Sequence, residues 1–409
     1  MQRVINILRP EVQPDSEPET PVWCLGREYE NNNLEWNSLF LDDVESRIWL
    51  MYRTGFDPPI PRHPDGPSPV LQNVNAFIRS IPHAGLGTAR SLASFDTTAF
   101  TTDAGWGCMI RTSQCLVANA LQISLLGRDY RYKSSTGTSD DTDATNDTND
   151  ANDINDSNDS NNSDPSDPKN SDSTELSIIK RFLDTSLAPY SIHRFVEYGT
   201  NNGILPGQWF GPGTVAGFIA ASSEEFSVYR SDGTDVYEKE VLKMLDCPKP
   251  VLVLCNLRLG IQNITPVYYE GLKSLLAAKQ SVGIAGGRTS ASLYFFGHQN
   301  DRLFYHDPHE PKPALTQESS AKEILESVHS RKLRALPISE MDPSMLAAFL
   351  ITSKEDYLKW KEYMLSVPEQ SRIMHFLPND RIDFTDISEG DINCDAEGYV
   401  LCEAPEALE

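Results

Sequence analysis

The stretch Asp103-Ala104-Gly105-Trp106-Gly107-Cys108-Met109-Ile110-Arg111 sets one thiol at a glycine-flanked turn, directly before a long helical pattern. A thiol in the first turn of a helix faces unpaired backbone N–H groups and the positive end of the helix dipole. Both favour the thiolate, which is the nucleophilic form. Such a nucleophile needs a base, and Asp307-Pro308-His309 offers one. Residues two apart in extended chain share a face, so Asp307 and His309 can lie side by side, with Pro308 stiffening the link. A carboxylate beside an imidazole fixes its tautomer and stabilises the imidazolium. Residue types alone leave plainer readings open. A buried cysteine is also a small core residue, and Asp-Pro-His at a strand end is also turn chemistry. A metallohydrolase on His306, Asp307 and His309 is a third reading, weakened by the proline among its ligands.

The elements that must position these groups follow from periodicity. Cys108, Thr112, Cys115 and Asn119 keep helical spacing, as do Met109, Leu116, Ala120 and Ile123. Apolar residues on most faces predict a central, buried helix that stops at Gly127. Leu176–Leu183, Thr214–Ala221 and Tyr268–Ala278 read as further helices, and Val251–Cys255 and Ser281–Gly287 as strands. Ser292–Gly297 and Arg302–Asp307 flank a polar turn and predict a hairpin that carries Asp307 at its end. Helical patterns followed by clustered strands predict an α+β fold.

Composition sets the outer limits. Lys and Arg number 35 and Asp and Glu 59, giving a net charge of −24 over 409 residues. Residues 140–172 hold eleven aspartates against one lysine, so 134–174 is expected to be a disordered insertion. It divides a catalytic domain into 41–133 and 175–379, with a flexible leader at 1–40 and an acidic flexible tail at 380–409. An acidic chain argues against nucleic acid as a partner, and a partner with a basic face suits it better. Seven cysteines without Cys-x-x-Cys spacing are neither a disulfide framework nor a zinc knuckle. No metal and no cofactor is expected. Met1–Leu8 is too short an apolar run for a signal peptide, and no stretch is long enough to span a membrane. A cytoplasmic placement, with the nucleus as a second compartment, is the expectation.

Asp103–Arg111 followed by Gln114 resembles the nucleophile motif of the Atg4 (autophagin) cysteine proteases. Four other segments resemble that family in the same order: Trp49–Arg53, Leu126–Tyr130, Gly207–Pro212 and Tyr305–His309. The resemblance implies a papain-like fold with a small auxiliary subdomain. It implies an endopeptidase that cleaves the ubiquitin-like Atg8 after its C-terminal glycine and releases Atg8 from phosphatidylethanolamine. Membrane contact would then come only through Atg8. By the same resemblance Cys108 is the nucleophile, His309 the base and Asp307 its orienter. Tyr52 and the Cys108 N–H form the oxyanion hole, and Trp209 covers the cysteine at rest. Gly286 and Gly287 fall where the family has a mobile regulatory loop, although Arg288-Thr289 follows here where many relatives have proline. A wall of Trp209 and the glycine pair would admit only a residue without a side chain. Phe384-Thr385-Asp386-Ile387 resembles an Atg8-interacting segment, whose Phe384 and Ile387 would fill two pockets. The alternative to an enzyme is a catalytically weak Atg8-binding adaptor on the same fold.

Overall fold

The nucleophile helix is the axis on which the rest is laid. The computed structural model describes residues 10–14, 20–30, 36–69, 98–133, 168–287 and 291–378, together with the backbone of 393–394 and 400–401. Its principal helices are α1 (Trp36–Ser46), α2 (Cys108–Leu126), α3 (Pro168–Lys180), α4 (Ile192–Asn201), α5 (Pro212–Ser222), α6 (Tyr269–Ala277) and α7 (Lys354–Ser366). Every residue of α2 from Cys108 to Gln122 is buried, as its apolar faces predict, and the helix ends at Gly127. Among the described residues no helix is long and apolar enough to cross a membrane.

One sheet runs through the molecule. In chain order its strands are β1 (Val22–Cys24), β2 (Arg27–Tyr29), β3 (Ser227–Ser231), β4 (Val251–Arg258), β5 (Ser281–Gly286), β6 (Leu293–Gln299), β7 (Arg302–His306), β8 (Arg334–Pro337) and β9 (Ser344–Ile351). The spatial order is β8-β7-β6-β5-β9-β4-β3, and β1 joins β6 and β2. Only the β4–β3 pair is parallel within this sheet. Side chains alternate between two cores, as the strand period of two requires. Leu252 and Leu254 join α2, α4 and α5 through Met109, Phe195 and Val215. Val251, Val253 and Cys255 face α6 and α7 through Leu272 and Trp360. Helices thus cover both faces of a mostly antiparallel sheet, an α+β layout.

The hairpin expected at 292–307 is β6–β7, with a bulge between Phe295 and Gly297. The bulge bends β6, and beyond it β1 takes the place beside the strand: Cys24 pairs with Gly297 and Trp23 with His298. A Cβ at Gly297 would stand 2.0 Å from the Trp23 carbonyl oxygen, so this approach requires glycine.

Two boundaries differ from the expectation. The leader at 1–40 is not all leader. Val22, Cys24 and Leu25 are fully buried, and α1 begins at Trp36. Three-residue strands are too short to show a period, and they are stable only on the edge that the bulge opens. Helix α3 begins at Pro168, inside the stretch expected to be disordered. Its buried Glu175, Ile178 and Ile179 dock beside α2, so tertiary contact carries the helix further back than local apolarity indicates. The short strands at Asn393–Cys394 and Val400–Leu401 pair with each other within the expected tail. Phe384 and Ile387 lie outside the described residues.

Candidate active site

Gly107 caps α2 with no side-chain hydrogen bond, which leaves the first-turn N–H groups of the helix open beside Cys108. Asp103 shapes the turn before it: its carbonyl accepts from Trp106 N–H at 3.1 Å and Gly107 N–H at 2.8 Å. Glycine at 107 is required for space, because a Cβ there would lie 2.6 Å from the Asp103 Cβ.

His309 arrives just beyond the end of β7. Its Nδ1 lies 2.5 Å from Asp307 Oδ1, and its backbone N–H donates to the same oxygen at 3.0 Å. One carboxylate oxygen thereby fixes both the ring and the main chain that bears it. The Arg334 guanidinium stands 3.5 Å from the other oxygen, Asp307 Oδ2, and also pairs with Glu310. Burial raises the Asp307 carboxyl, but His309 and Arg334 hold it below the usual carboxylate range.

Cys108 and His309 act on each other. Burial opposes ionisation of the thiol. The hydrogen bond and charge of His309, the Ser292 backbone and the Trp209 side chain outweigh it and bring the thiol below its ordinary value. Burial also opposes the imidazolium, yet Asp307 and Cys108 push His309 up to about 9. The His309 Nε2 is buried without a hydrogen bond of good geometry. The pair is therefore coupled but loosely seated, as thiol–imidazole pairs without substrate often are. A thiol lowered and an imidazole raised favour the thiolate–imidazolium pair over the neutral pair.

Tyr52 is laid along the His309 segment. Its N–H donates to the Pro308 carbonyl at 2.8 Å, and its own carbonyl accepts from Lys312 N–H at 2.9 Å. Its ring meets the His309 ring edge-on at 5.2 Å and packs with Ala104 and Cys108. Trp49 pins the same segment by donating from its indole to the Asp307 carbonyl at 3.1 Å. Trp209 is 39 % exposed, unusual for so large an apolar side chain, and reaches the Cys108 sulfur.

The fold thus brings Cys108, His309, Asp307, Tyr52 and Trp209 together. Gly286 and Gly287 are placed differently from an open loop. Gly286 closes β5 between Leu293 and Met345, and Gly287 N–H donates to the Ser344 carbonyl at 3.2 Å. Both have positive φ, and a Cβ on either would strike a neighbour within 3 Å. Arg288 and Thr289 lie outside the described residues. His306 does not converge with His309: it stacks on Trp49 at 5.1 Å, packs against Phe296, and burial pushes it down to about 3. Among the described residues no three His, Cys, Asp or Glu side chains group as metal ligands.

Sequence reading missed the Ser292 backbone and Arg334. A main-chain N–H leaves no trace in residue type. Arg334 reaches the site because β8 pairs with β7, Arg334 opposite Tyr305, a register that no local pattern announces.

Comparison with known proteins agrees with this geometry. The family model of the peptidase C54 catalytic domain matches residues 37–363. The chain is 39% identical over 381 residues to a probable cysteine protease ATG4 of Coccidioides immitis, covering 90% of this chain and 76% of that protein. It is 36% identical over 423 residues to a probable cysteine protease atg4 of Aspergillus clavatus, covering 93% of each. It is 35% identical over 404 residues to the cysteine protease atg4 of Emericella nidulans, covering 90% of this chain and 88% of that protein. A buried thiol–imidazole–carboxylate row inside a domain matched over so much of its length identifies the chain as a member of the peptidase C54 family, the ATG4 cysteine proteases.

Proposed function

We propose that this protease cleaves Atg8 after its C-terminal glycine and releases Atg8 from phosphatidylethanolamine, with Cys108 as nucleophile. The observation that carries the reading is the lowered thiol of Cys108 beside a raised His309 that Asp307 holds. The Cys108 thiolate adds to the glycine carbonyl carbon. The Tyr52 hydroxyl and the Cys108 N–H donate to the oxygen as it becomes an oxyanion. The His309 imidazolium then gives its Nε2 proton to the departing nitrogen, which is the next residue's amine in a precursor or the ethanolamine amine in a conjugate. A thioester remains. Water attacks it while neutral His309 takes the water's proton, and collapse returns the thiolate and a free glycine carboxylate. Asp307 keeps the imidazole in the tautomer that presents Nε2 and does not itself move a proton.

Trp209 over the sulfur supports a narrow approach that a glycine passes and a larger residue does not. The glycines at 286 and 287 would border it, and Phe384 and Ile387 would give Atg8 a second attachment. The site of action in this reading is the cytoplasm and nucleus, with membranes reached only through the conjugate.

The test is incubation of the full chain with an Atg8 precursor bearing a C-terminal extension, followed by intact mass. The product ends at glycine, and Cys108→Ala forms none while still retaining the precursor in a pull-down. Cleavage elsewhere, or activity in Cys108→Ala, overturns the reading.

A further inference from the structure

Tyr52 and Cys108 come from segments far apart in the chain, yet the backbone of one residue, Arg53, ties them together. The Arg53 N–H, on the residue after Tyr52, donates to Asp103 Oδ1 at 2.7 Å. The Arg53 carbonyl accepts from the Thr102 hydroxyl at 2.7 Å, and that hydroxyl accepts from Ala104 N–H at 3.2 Å. Both backbone polar groups of Arg53 are thus taken by the turn that leads to Cys108. On the other side, Asp103 Oδ2 accepts from Arg111 Nε at 2.6 Å, within the first turn after Cys108. Arg111 is anchored in turn by Asp184 at 2.8 Å and Gln114 at 3.2 Å, and Asp184 Oδ2 accepts from Leu315 N–H at 2.9 Å. Arg53, Thr102, Asp103, Arg111 and Asp184 are all buried.

We propose that Asp103, with Thr102 beside it, is a positioning residue that sets the separation between the Tyr52 hydroxyl and the Cys108 N–H. The proposal rests on the reading of these two groups as the oxyanion donors. Oxyanion donors work only in a narrow window, about 2.7–3.1 Å from the position the developing charge will occupy. A displacement of about 1 Å at such a site can cost ~10²-fold in rate. Here one carboxylate fixes the segment that bears one donor and the helix start that bears the other. A neutral amide in its place cannot serve both: turned to accept from Arg53 N–H, it presents an NH2 to the Arg111 donor.

The test is steady-state cleavage of the extended Atg8 precursor by Asp103→Asn, Tyr52→Phe and the double variant, in the full chain. Asp103→Asn is expected to lower kcat about tenfold or more, with KM within about twofold of wild type. In the Tyr52→Phe background the same change should cost less than about twofold, since its effect passes through the tyrosine. The pH dependence of Cys108 alkylation by iodoacetamide should be unmoved in Asp103→Asn, because the thiolate–imidazolium pair does not pass through the brace. Thr102→Val, nearly isosteric, should repeat the pattern more mildly and serves where Asp103→Asn folds poorly. Wild-type kcat in both variants, an undiminished loss in the Tyr52→Phe background, or a shifted alkylation profile overturns the proposal. Loss in Tyr52→Phe with none in Asp103→Asn or Thr102→Val overturns the brace alone. Wild-type kcat in Tyr52→Phe removes the oxyanion reading together with it.

Discussion

Two cysteines seven residues apart on α2 have opposite chemistry because of what surrounds each. Cys115 is buried, takes a hydrogen bond from the Leu50 N–H at 3.2 Å, and is pushed up to about 12 by burial, so it stays a neutral thiol. Cys108 is equally buried but has His309 beside it, whose hydrogen bond and charge bring the thiol down. For His309 the sign is that of a raised base. Its charged form is stabilised by folding below its ordinary value near 6.5, and that stabilisation is lost as pH rises through about 9. Leaving-group protonation needs the imidazolium, so turnover should hold through neutral pH and fall as pH rises through about 9. Asp307→Asn removes the partner that raises His309. The alkaline limb of kcat should then move to lower pH, and kcat should drop by roughly 10³- to 10⁴-fold, since the amide favours the wrong tautomer. A pH–rate profile of both proteins checks this, and an alkaline limb that stays in place refutes it.

At the scale of elements, the site depends on how closely the ends of β5, β6 and β9 approach. Gly287 has φ of +71°, and a Cβ there would stand 2.6 Å from the Phe295 ring and 2.8 Å from the Met341 methyl. Gly55 has φ of +82° but nothing within 4 Å of its Cβ position. Gly55→Ala should therefore cost only the left-handed backbone strain, about 1–2 kcal/mol. Gly287→Ala adds overpacking to the same strain and should cost about 1–3 kcal/mol more. Denaturant unfolding of the two variants measures the difference. Equal losses would mean that the strand ends yield, and that the glycine pair is demanded by conformation and not by space.

For the whole molecule, the Asp/Asn/Ser-rich stretch and the helix after it have separate roles. Glu175 on α3 is buried and accepts from Gln122 Nε2 at 2.7 Å and from the Tyr130 hydroxyl at 2.6 Å. His329 lies 3.5 Å from the same carboxylate and bonds the Glu45 carbonyl at 2.9 Å. The helix thereby ties α2 and the segment after it to the segment before β8, which itself meets the last turn of α1. Deleting 137–165 should leave precursor cleavage within about twofold of wild type, because loop-length changes carry a small entropic effect. Extending the deletion to Lys180 strips the buried Glu175, Ile178 and Ile179 and should cost several kcal/mol, about 1–3 for each buried polar partner left unsatisfied. Comparing thermal unfolding and activity of the two deletions decides it. Similar behaviour of both would place α3 outside the cooperative core.

Local chemistry made part of this protein legible in the chain. The Gly-Trp-Gly-Cys turn before a helical period, and Asp-Pro-His at the end of a hairpin, are short-range patterns, so α2, β6 and β7 and the row of Cys108, His309 and Asp307 could be read where they stand. The buried strand β9 could not. Met345–Ile351 is an unbroken apolar run with no alternation, because β9 lies in the middle of the sheet with a core on each face. The same holds for β1 and β2, whose place exists only once the bulge in β6 has opened an edge, and for α3, whose start is set by docking. At the site, Arg334 and the Ser292 backbone enter by strand register and chain path. Even the tendency of Cys108 and His309 to pair their charges is a tertiary property: burial alone opposes ionisation of either group, and only their apposition, with Asp307 behind, reverses the direction for both.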